Sequence, residues 1–233
     1  MEMQTPGFHP PIQRRSEATL ARIARATEAL LAERGPHLTV GDVVARARTS
    51  IGSFYARFDD KDVAIRYAQE RFWMALRSEW NRYLDPTRWD GVPAIGITAR
   101  VIRTVVWSQV RHGRRHRAFT LDVLTRSRDD VLERTLALDR HVAERVATLL
   151  AARVEGSSDA LWHQRASAGL LCVLSAVRDQ VLLGGLPGAG AAAARELTVV
   201  LVRMYAGVLG LSGAPESYVD VVRLSGPSGM RPR

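Results

Sequence analysis

Apolar residues recur every three to four positions along most of the chain, which is the spacing of one buried face on an amphipathic helix. This pattern predicts nine helices, at about 16–34, 40–47, 51–58, 61–85, 94–110, 119–124, 129–153, 159–183 and 191–211. Short β-branched runs such as 199–202 lie inside longer helical periods, so no sheet is predicted. The predicted fold class is therefore all-α.

The pattern also divides the chain into four regions. Residues 1–12 hold three prolines and one glycine, which favour a flexible arm. Residues 13–60 contain three short helices that form one unit, and residues 61–212 contain about six longer helices. Residues 213–233 are rich in Gly, Pro and Ser, so a loose C-terminal tail is expected.

Residues 39–61 combine two short helices with a tight turn. Thr39 is a good N-cap, and Asp42 three residues later completes a capping-box pattern. The apolar pattern breaks at Arg48 and Thr49, and Ser50 is a second N-cap. Two short helices joined by a turn of about three residues form a helix-turn-helix, whose second helix fits a DNA major groove.

The charge of the chain agrees with a nucleic-acid partner. The net charge is +9 and the pI is about 10.8, which favours a polyanion, although a basic surface without such a role gives the same totals. Lys61 is the single lysine among 33 basic residues. A lone lysine at the end of the helix-turn-helix fits a positional demand for a compact charge on phosphate.

Three features of the sequence predict a cytoplasmic protein. The single cysteine, Cys172, excludes an intramolecular disulfide and fits a reducing compartment. The first residues contain no apolar run behind a basic start, so no signal peptide is predicted. No stretch reaches about 18 apolar residues, so no membrane span is predicted.

Catalytic and metal-binding motifs are missing from the sequence. It contains no Gly-x-Ser-x-Gly, no P-loop and no dinucleotide fingerprint, so no enzyme and no cofactor are expected. His112 and His116 have the i,i+4 spacing of a zinc pair, but a nearby Glu and a third ligand are absent, so no metal site is expected. Cys172 lies in an apolar helix and is expected to be a small buried side chain.

The helix-turn-helix residues resemble those of the TetR family of one-component transcriptional regulators. The matching residues are Thr39, Asp42-Val43-Val44, Ala47, Ser50, Gly52-Ser53, Phe54-Tyr55, Phe58 and Lys61. The sequence departs from the family pattern at Arg48 and Thr49, where Gly-Val is usual, and at Arg57, where His is common. Arg48 must then adopt a turn geometry that glycine adopts more easily, at a cost of about 1 kcal/mol.

The resemblance implies a set of DNA contacts. Thr39, Tyr55 and Lys61 are expected to hold phosphates, although Tyr55 is alternatively a packed core aromatic. Thr49, Ile51 and Ser53 are expected to reach base edges. The full predicted set is Thr39, Arg48, Thr49, Ser50, Ile51, Gly52, Ser53, Tyr55, Arg57 and Lys61. Arg14 and Arg15 either enter the minor groove or lie in a solvated arm, and the basic segment 111–117 is predicted to be an exposed turn.

The resemblance also implies an effector pocket and a dimer interface in the second half. Candidates for the pocket, which an ordinary core explains equally well, are Trp73, Trp80, Tyr83, Trp107 and Phe119. In the family, the last two helices form a four-helix interface, and the stripe here is Leu197, Val200, Leu201, Met204 and Val208. A buried face within one chain is the alternative for this stripe.

The expected function is that of a homodimeric repressor, which binds a pseudo-palindromic operator and is released by a small, largely apolar effector. Two alternatives remain open. One is a constitutive DNA-binding regulator without an effector, and the other is an all-α enzyme with an incidental helix-turn-helix.

Overall fold

The computed structural model describes residues 5–10, 14–125, 129–157, 159–182 and 191–212, and these residues are mainly helical. Their α-helices are α1 (Arg14–Arg34), α2 (Val40–Ala47), α3 (Ile51–Tyr55), α4 (Lys61–Tyr83), α5 (Ala94–Thr125), α6 (Asp129–Ala151), α7 (Ala160–Leu182) and α8 (Ala191–Leu209). Within the described ranges there is no β-strand, only an isolated antiparallel bridge between Phe8 and Phe58. The all-α prediction is confirmed, and the predicted tail at 213–233 lies outside the described residues.

Helix α5 is continuous where two helices and a basic turn were predicted. The segment 111–117 is helical, so the prediction of a turn there is wrong. Arginine is a good helix former, and the cost of Gly113 within a helix is only about 1 kcal/mol. His116, within the segment, and Phe119, just after it, are both buried, and this burial favours continuing the helix.

The chain forms two compact units, and the first comprises Met1–Leu76 and Arg114–Arg134. Gly35, with φ +64°, ends α1, and a short 3₁₀ turn (Gly35–His37) leads to α2. The helical spacing predicts a buried stripe on α1, and its five residues are all buried: Leu20, Ile23, Thr27, Leu30 and Leu31. The core of this unit includes Leu20, Ile23, Leu30, Leu31, Leu38, Val43, Phe54, Phe58, Ile65 and Phe119.

The second unit comprises Arg77–Gly113 and Thr135–Arg233. Tyr205 Oη donates a hydrogen bond to the Ala166 carbonyl over 2.8 Å, which ties α8 to α7. A Cβ on Gly169 would lie 3.0 Å from the Tyr205 ring, so these two helices pack closely. The helical spacing predicts an apolar stripe on α6 at Val131, Leu138, Val142, Val146 and Leu149. The last four are buried, and the side chain of Val131 lies outside the described residues.

Helices α4, α5 and α6 each contribute residues to both units. The structure groups residues 61–76 with the first unit, whereas the sequence pattern predicts a domain boundary between residues 60 and 61. Val63, Ala64 and Ile65 at the start of α4 are buried in the core that also holds Phe54 and Phe58. None of the helices in the described part of the chain has the length and apolar character needed to span a bilayer.

Candidate nucleic-acid interface

The N-terminus of α2 is a complete capping box, as predicted. Thr39 Oγ1 accepts a hydrogen bond from the Asp42 backbone N–H over 3.1 Å, and Asp42 Oδ2 accepts one from the Thr39 backbone N–H over 2.9 Å. Hydrogen bonds from the Thr39 side chain and backbone, together with the nearby Arg34, hold the pKa of Asp42 below its usual value. A lowered pKa means that the carboxylate stabilises the fold at neutral pH and loses this effect as the pH falls through that pKa.

The turn between α2 and α3 depends on Arg48. Its backbone is left-handed, with φ 50° and ψ 57°, which confirms the geometry expected where the family pattern has glycine. Its N–H caps the end of α2 by donating to the Ala45 carbonyl over 3.2 Å, and Thr49 N–H donates to the Val44 carbonyl over 3.0 Å. The Arg48 side chain is exposed, so the strained backbone presents a guanidinium to solvent.

Helix α3 presents one exposed face and one buried side chain. Ser50 caps it as predicted, accepting a hydrogen bond from Ser53 N–H over 3.1 Å. Ile51 is 56% exposed and Tyr55 is 52% exposed, whereas Phe54 is fully buried. Tyr55 is therefore not the packed core aromatic that was its alternative reading.

The exposed face of α3 is also open to close approach. Gly52 is exposed, and a Cβ built on it would meet no atom within 4 Å. The helix ends at Tyr55, three residues earlier than predicted, and Arg57 N–H donates to the Phe54 carbonyl over 2.9 Å in the turn that follows.

Arg57 does not lie on the exposed face. It is 8% exposed, and its guanidinium donates to the Ser53 carbonyl and, over 2.5 Å, to Ser16 Oγ. The expectation that Arg57 is exposed for DNA contact is wrong, because this side chain links α1 to the end of α3. The side chains of Arg14 and Arg15, the other arginines considered for DNA, lie outside the described residues.

Lys61 lies where the starts of α2 and α4 meet. Asp60 caps α4 by accepting from the Val63 N–H over 2.8 Å. Lys61 Nζ is 3.4 Å from the carbonyl of Leu38, the residue before the Thr39 cap, and its side chain is half-buried. Two of the three predicted phosphate contacts, Thr39 and Lys61, are thus brought together.

A basic depression borders the turn that holds Arg48. It has a volume of about 240 Å³, and it is lined by Arg22, Arg25, Ala26, Arg46, Ala47 and Arg48. Arg46 is held by a bidentate ion pair with Glu33, at 2.5 and 2.7 Å. Arg22 and Arg25 were not predicted as site residues, although their i,i+3 spacing on the polar side of α1 is a usable signal.

The five candidate pocket aromatics divide between the two units. In the first unit, Trp73 and Phe119 both pack against Phe72, with ring centroids 4.9 and 5.1 Å apart. In the second unit, Trp80 packs against Tyr83 at 5.6 Å. Trp107 is half-buried in the second unit.

The candidate dimer stripe of α8 divides between surface and core. Val200 is 55% exposed, Met204 is 44% exposed and Val208 is 41% exposed, at i, i+4 and i+8. Leu197 is half-buried, whereas Leu201 is 4% exposed and belongs to the core of its own unit. The assignment of Leu201 to the same surface as Val200 and Met204 is wrong. The sequence could not distinguish the buried side of α8 from the exposed side, because both sides are apolar.

Cys172 on α7 is exposed rather than buried. Ala168 and Ser175 lie on the same side of α7 at helical spacing and are also exposed. The prediction of a buried cysteine is wrong, because small side chains occupy an outer face of this apolar helix.

Replacing Arg48 with glycine is expected to stabilise the first unit. Relief of a left-handed backbone at a non-glycine residue gives roughly 1–2 kcal/mol, and the greater freedom of glycine in the unfolded chain offsets about 0.5–1 kcal/mol. The net gain is about 0–1.5 kcal/mol in the free energy of unfolding, with a central value of about 0.75 kcal/mol, measured by urea unfolding. The matched control is Arg48→Ala, which removes the same guanidinium and keeps the strain. An equal gain in both variants would contradict a backbone origin.

Comparison with known proteins identifies one similarity. Residues 23–63 match the family model described as bacterial regulatory proteins, tetR family. The matched segment starts within α1 and ends near the start of α4, so it contains all of α2 and α3. No curated protein and no solved structure matches the chain.

Proposed function

We propose that this protein is a homodimeric DNA-binding repressor of the TetR type, which binds a pseudo-palindromic operator and is released by a small-molecule effector. The match of residues 23–63 to the tetR family model supports this proposal. The observation that carries the DNA-binding part is the exposed face formed by Thr39, the turn at Arg48, α3 and Lys61. As a regulator of chromosomal DNA, the protein is expected to act in the cytoplasm.

The chemistry of this face supports DNA contact. From 51 to 58 it holds no acidic residue. The carboxylate of Asp42 behind it is neutralised by Arg34 over 2.8 Å. The Tyr55 hydroxyl and the Lys61 ammonium suit phosphate oxygens, and such contacts set the register of the protein on DNA. The Thr39 hydroxyl donates to Asp42 Oδ2 over 2.7 Å and would exchange that bond for one to phosphate.

Base recognition is assigned to the first turn of α3 and the residues before it. Ile51 offers an exposed apolar side chain of the kind that contacts a thymine methyl. Thr49 and Ser53 offer hydroxyl groups that bond either donors or acceptors on base edges. Gly52 lets the backbone approach the groove, since no side chain stands between them.

Lys61→Ala is expected to weaken binding to operator DNA and to reduce the slope of log affinity against log salt by about one unit. Tyr55→Phe is expected to weaken binding, because it removes a phosphate-bonding hydroxyl and keeps the ring. Both effects are measured by fluorescence anisotropy at several salt concentrations, with a duplex that the protein enriches from a random-sequence pool.

Arg140→Ala is the matched control, because it removes one positive charge from an exposed position on α6. It is expected to leave the salt slope unchanged, because the slope counts the phosphates that the protein neutralises and Arg140 is not part of the proposed interface. Unchanged affinity and slope in both Lys61→Ala and Tyr55→Phe would remove these residues from the interface.

Dimerisation through α7 and α8 is supported by the outer faces of these helices. Val200, Met204 and Val208 form an exposed apolar stripe on α8, and α7 exposes Ala168 and Cys172. Small residues on one helix and larger apolar residues on the other allow four helices to pack across a two-fold axis. A dimer of this kind presents two α3 helices to successive major grooves, about 34 Å apart.

Effector binding is supported by the aromatic cluster of the first unit. The Trp73 indole N–H is buried and has no hydrogen-bond partner among the described residues, which costs about 1–3 kcal/mol unless a ligand or water accepts from it. We therefore assign the effector an apolar body with one hydrogen-bond acceptor. An effector that prefers the dimer geometry unable to bind DNA lowers DNA affinity by linkage, typically by about 1–3 kcal/mol.

A constitutive regulator without an effector is the second candidate. An effector screen followed by thermal unfolding separates the two, because a bound ligand raises the melting temperature. Ligands that raise it and also lower DNA affinity support release by an effector. A screen in which no compound shifts the melting temperature favours the constitutive regulator.

A further inference from the structure

The N-terminal segment 5–10 packs against the end of α3, in contrast to the expected flexible arm. His9 N–H donates to the Arg57 carbonyl over 2.9 Å, and Asp59 N–H donates to the Gly7 carbonyl over 3.1 Å. These two hydrogen bonds form the isolated antiparallel bridge between Phe8 and Phe58. The arm therefore holds the backbone at Arg57 and Asp59, two of the four residues (56–59) that separate α3 from the Asp60 cap of α4.

Side chains reinforce this contact on both sides of the bridge. The Phe8 ring packs against the rings of Phe58 and Tyr67, with centroids 5.6 and 4.5 Å apart. Thr5 is 5% exposed, and its hydroxyl donates to Glu70 Oε2 over 2.6 Å. The arm thus adds an aromatic ring and a buried hydrogen bond to the core of the first unit.

Gly7 makes the close approach possible. Its φ is +80°, and a Cβ at this position would lie 2.8 Å from Asp59 Oδ2 and 3.0 Å from Val63 Cγ2. The left-handed backbone would strain any other residue at this position, and a Cβ would also displace the Asp59 carboxylate. Glycine is therefore the residue that lets the arm approach residues 57–59 with least strain.

We propose that Phe8 and Gly7 are positioning residues for DNA recognition, which hold α3 in the orientation that reads base edges. This inference rests on the proposed DNA-binding function. Helix α3 has five residues and buries one side chain, Phe54, so the segments that hold its ends set its orientation. Ser50 and the turn hold the start, and the arm holds the residues after the end.

Positioning of this kind acts on specificity more than on general affinity. Base contacts require the α3 side chains at defined positions, whereas non-specific binding depends on charge near phosphates. The segment 5–10 contains no arginine or lysine, so changing it leaves the basic residues of the interface in place. Loss of the arm contact should therefore reduce the ratio of specific to non-specific affinity.

The test uses the full-length protein with Phe8→Ala, Gly7→Ala or Phe8→Tyr. Affinities are measured for a duplex enriched by the wild-type protein from a random pool and for a scrambled duplex of the same composition. We expect Phe8→Ala and Gly7→Ala to bind the enriched duplex about tenfold more weakly, comparable to the loss of one base-pair contact, with scrambled-duplex affinity unchanged. Phe8→Tyr keeps the ring and is expected to restore the wild-type ratio.

A purely structural role for the arm predicts a different result. If Phe8→Ala only unfolds part of the protein, both affinities fall by the same factor, and correction for the active fraction restores both. That result, or an unchanged ratio in Phe8→Ala and Gly7→Ala, would overturn the inference. Failure of the wild-type protein to enrich any duplex would instead overturn the proposed function.

Discussion

Val200→Asp combined with Met204→Asp is expected to convert the proposed dimer to a monomer. These side chains are 55% and 44% exposed on α8, and in the proposed dimer they face a second copy. Two copies would place four carboxylates in an apolar interface, and each buried charge without a partner costs several kcal/mol. Light scattering after size exclusion should then report the mass of one chain, 25.7 kDa.

The same double variant is expected to lose operator affinity by roughly 10²–10⁴-fold, because two linked binding modules gain that much over one. Leu136→Asp is the matched control, since Leu136 is an exposed leucine (38%) on α6 and lies outside the proposed interface. The control should remain dimeric. A dimer that persists in the double variant would show that the interface lies elsewhere.

Phe54→Ala is expected to destabilise the first unit by about 3–5 kcal/mol, the range for removing a fully buried phenylalanine. Phe54 is fully buried, and its ring lies 5.4 Å from Phe58 and 5.5 Å from Tyr55 between centroids. Since domains are stable by only about 5–15 kcal/mol, this loss should be visible as a large shift in the midpoint of urea unfolding.

Ile51→Ala is the matched control in the same helix. Ile51 is 56% exposed, so its truncation should change the free energy of unfolding by less than about 0.5 kcal/mol. It should nevertheless weaken binding to the enriched duplex, because it removes a proposed contact with thymine. Equal destabilisation by the two changes would contradict the orientation of α3, in which one face is buried and the other meets DNA.

Local features of the helix-turn-helix were predictable from the sequence. The caps at Thr39 and Ser50 and the left-handed Arg48 were all predicted and confirmed. Each cap depends on a side chain and a backbone group within three residues of it, so a short segment contains the necessary information. The left-handed geometry of Arg48 was expected from the resemblance, because the family pattern has glycine at this position. The predicted phosphate contact requires an exposed Tyr55, but the sequence left a core position open as an alternative. The structure excludes the core position, because Tyr55 is 52% exposed.

Features that depend on distant partners were not predictable. Arg57 is buried because Ser16, 41 residues earlier, accepts a hydrogen bond from it. The arm is ordered against Phe58 through Phe8, 50 residues earlier, although its prolines and glycine suggested flexibility. Hydropathy also could not decide which side of α8 is core, because Val200 and Leu201 are equally apolar and only packing buries one of them.

The sequence by itself thus determined most of the helices, the caps at Thr39 and Ser50 and the chemistry of α3, because short-range hydrogen bonds and the period of 3.6 residues control them. Only the tertiary structure decided that segment 5–10 holds the end of α3, that Arg57 is an internal link, and that Val200 and Met204 remain at the surface. The chain has more apolar and basic residues than buried positions, and the close packing of segments that are distant in sequence decides which of them are buried.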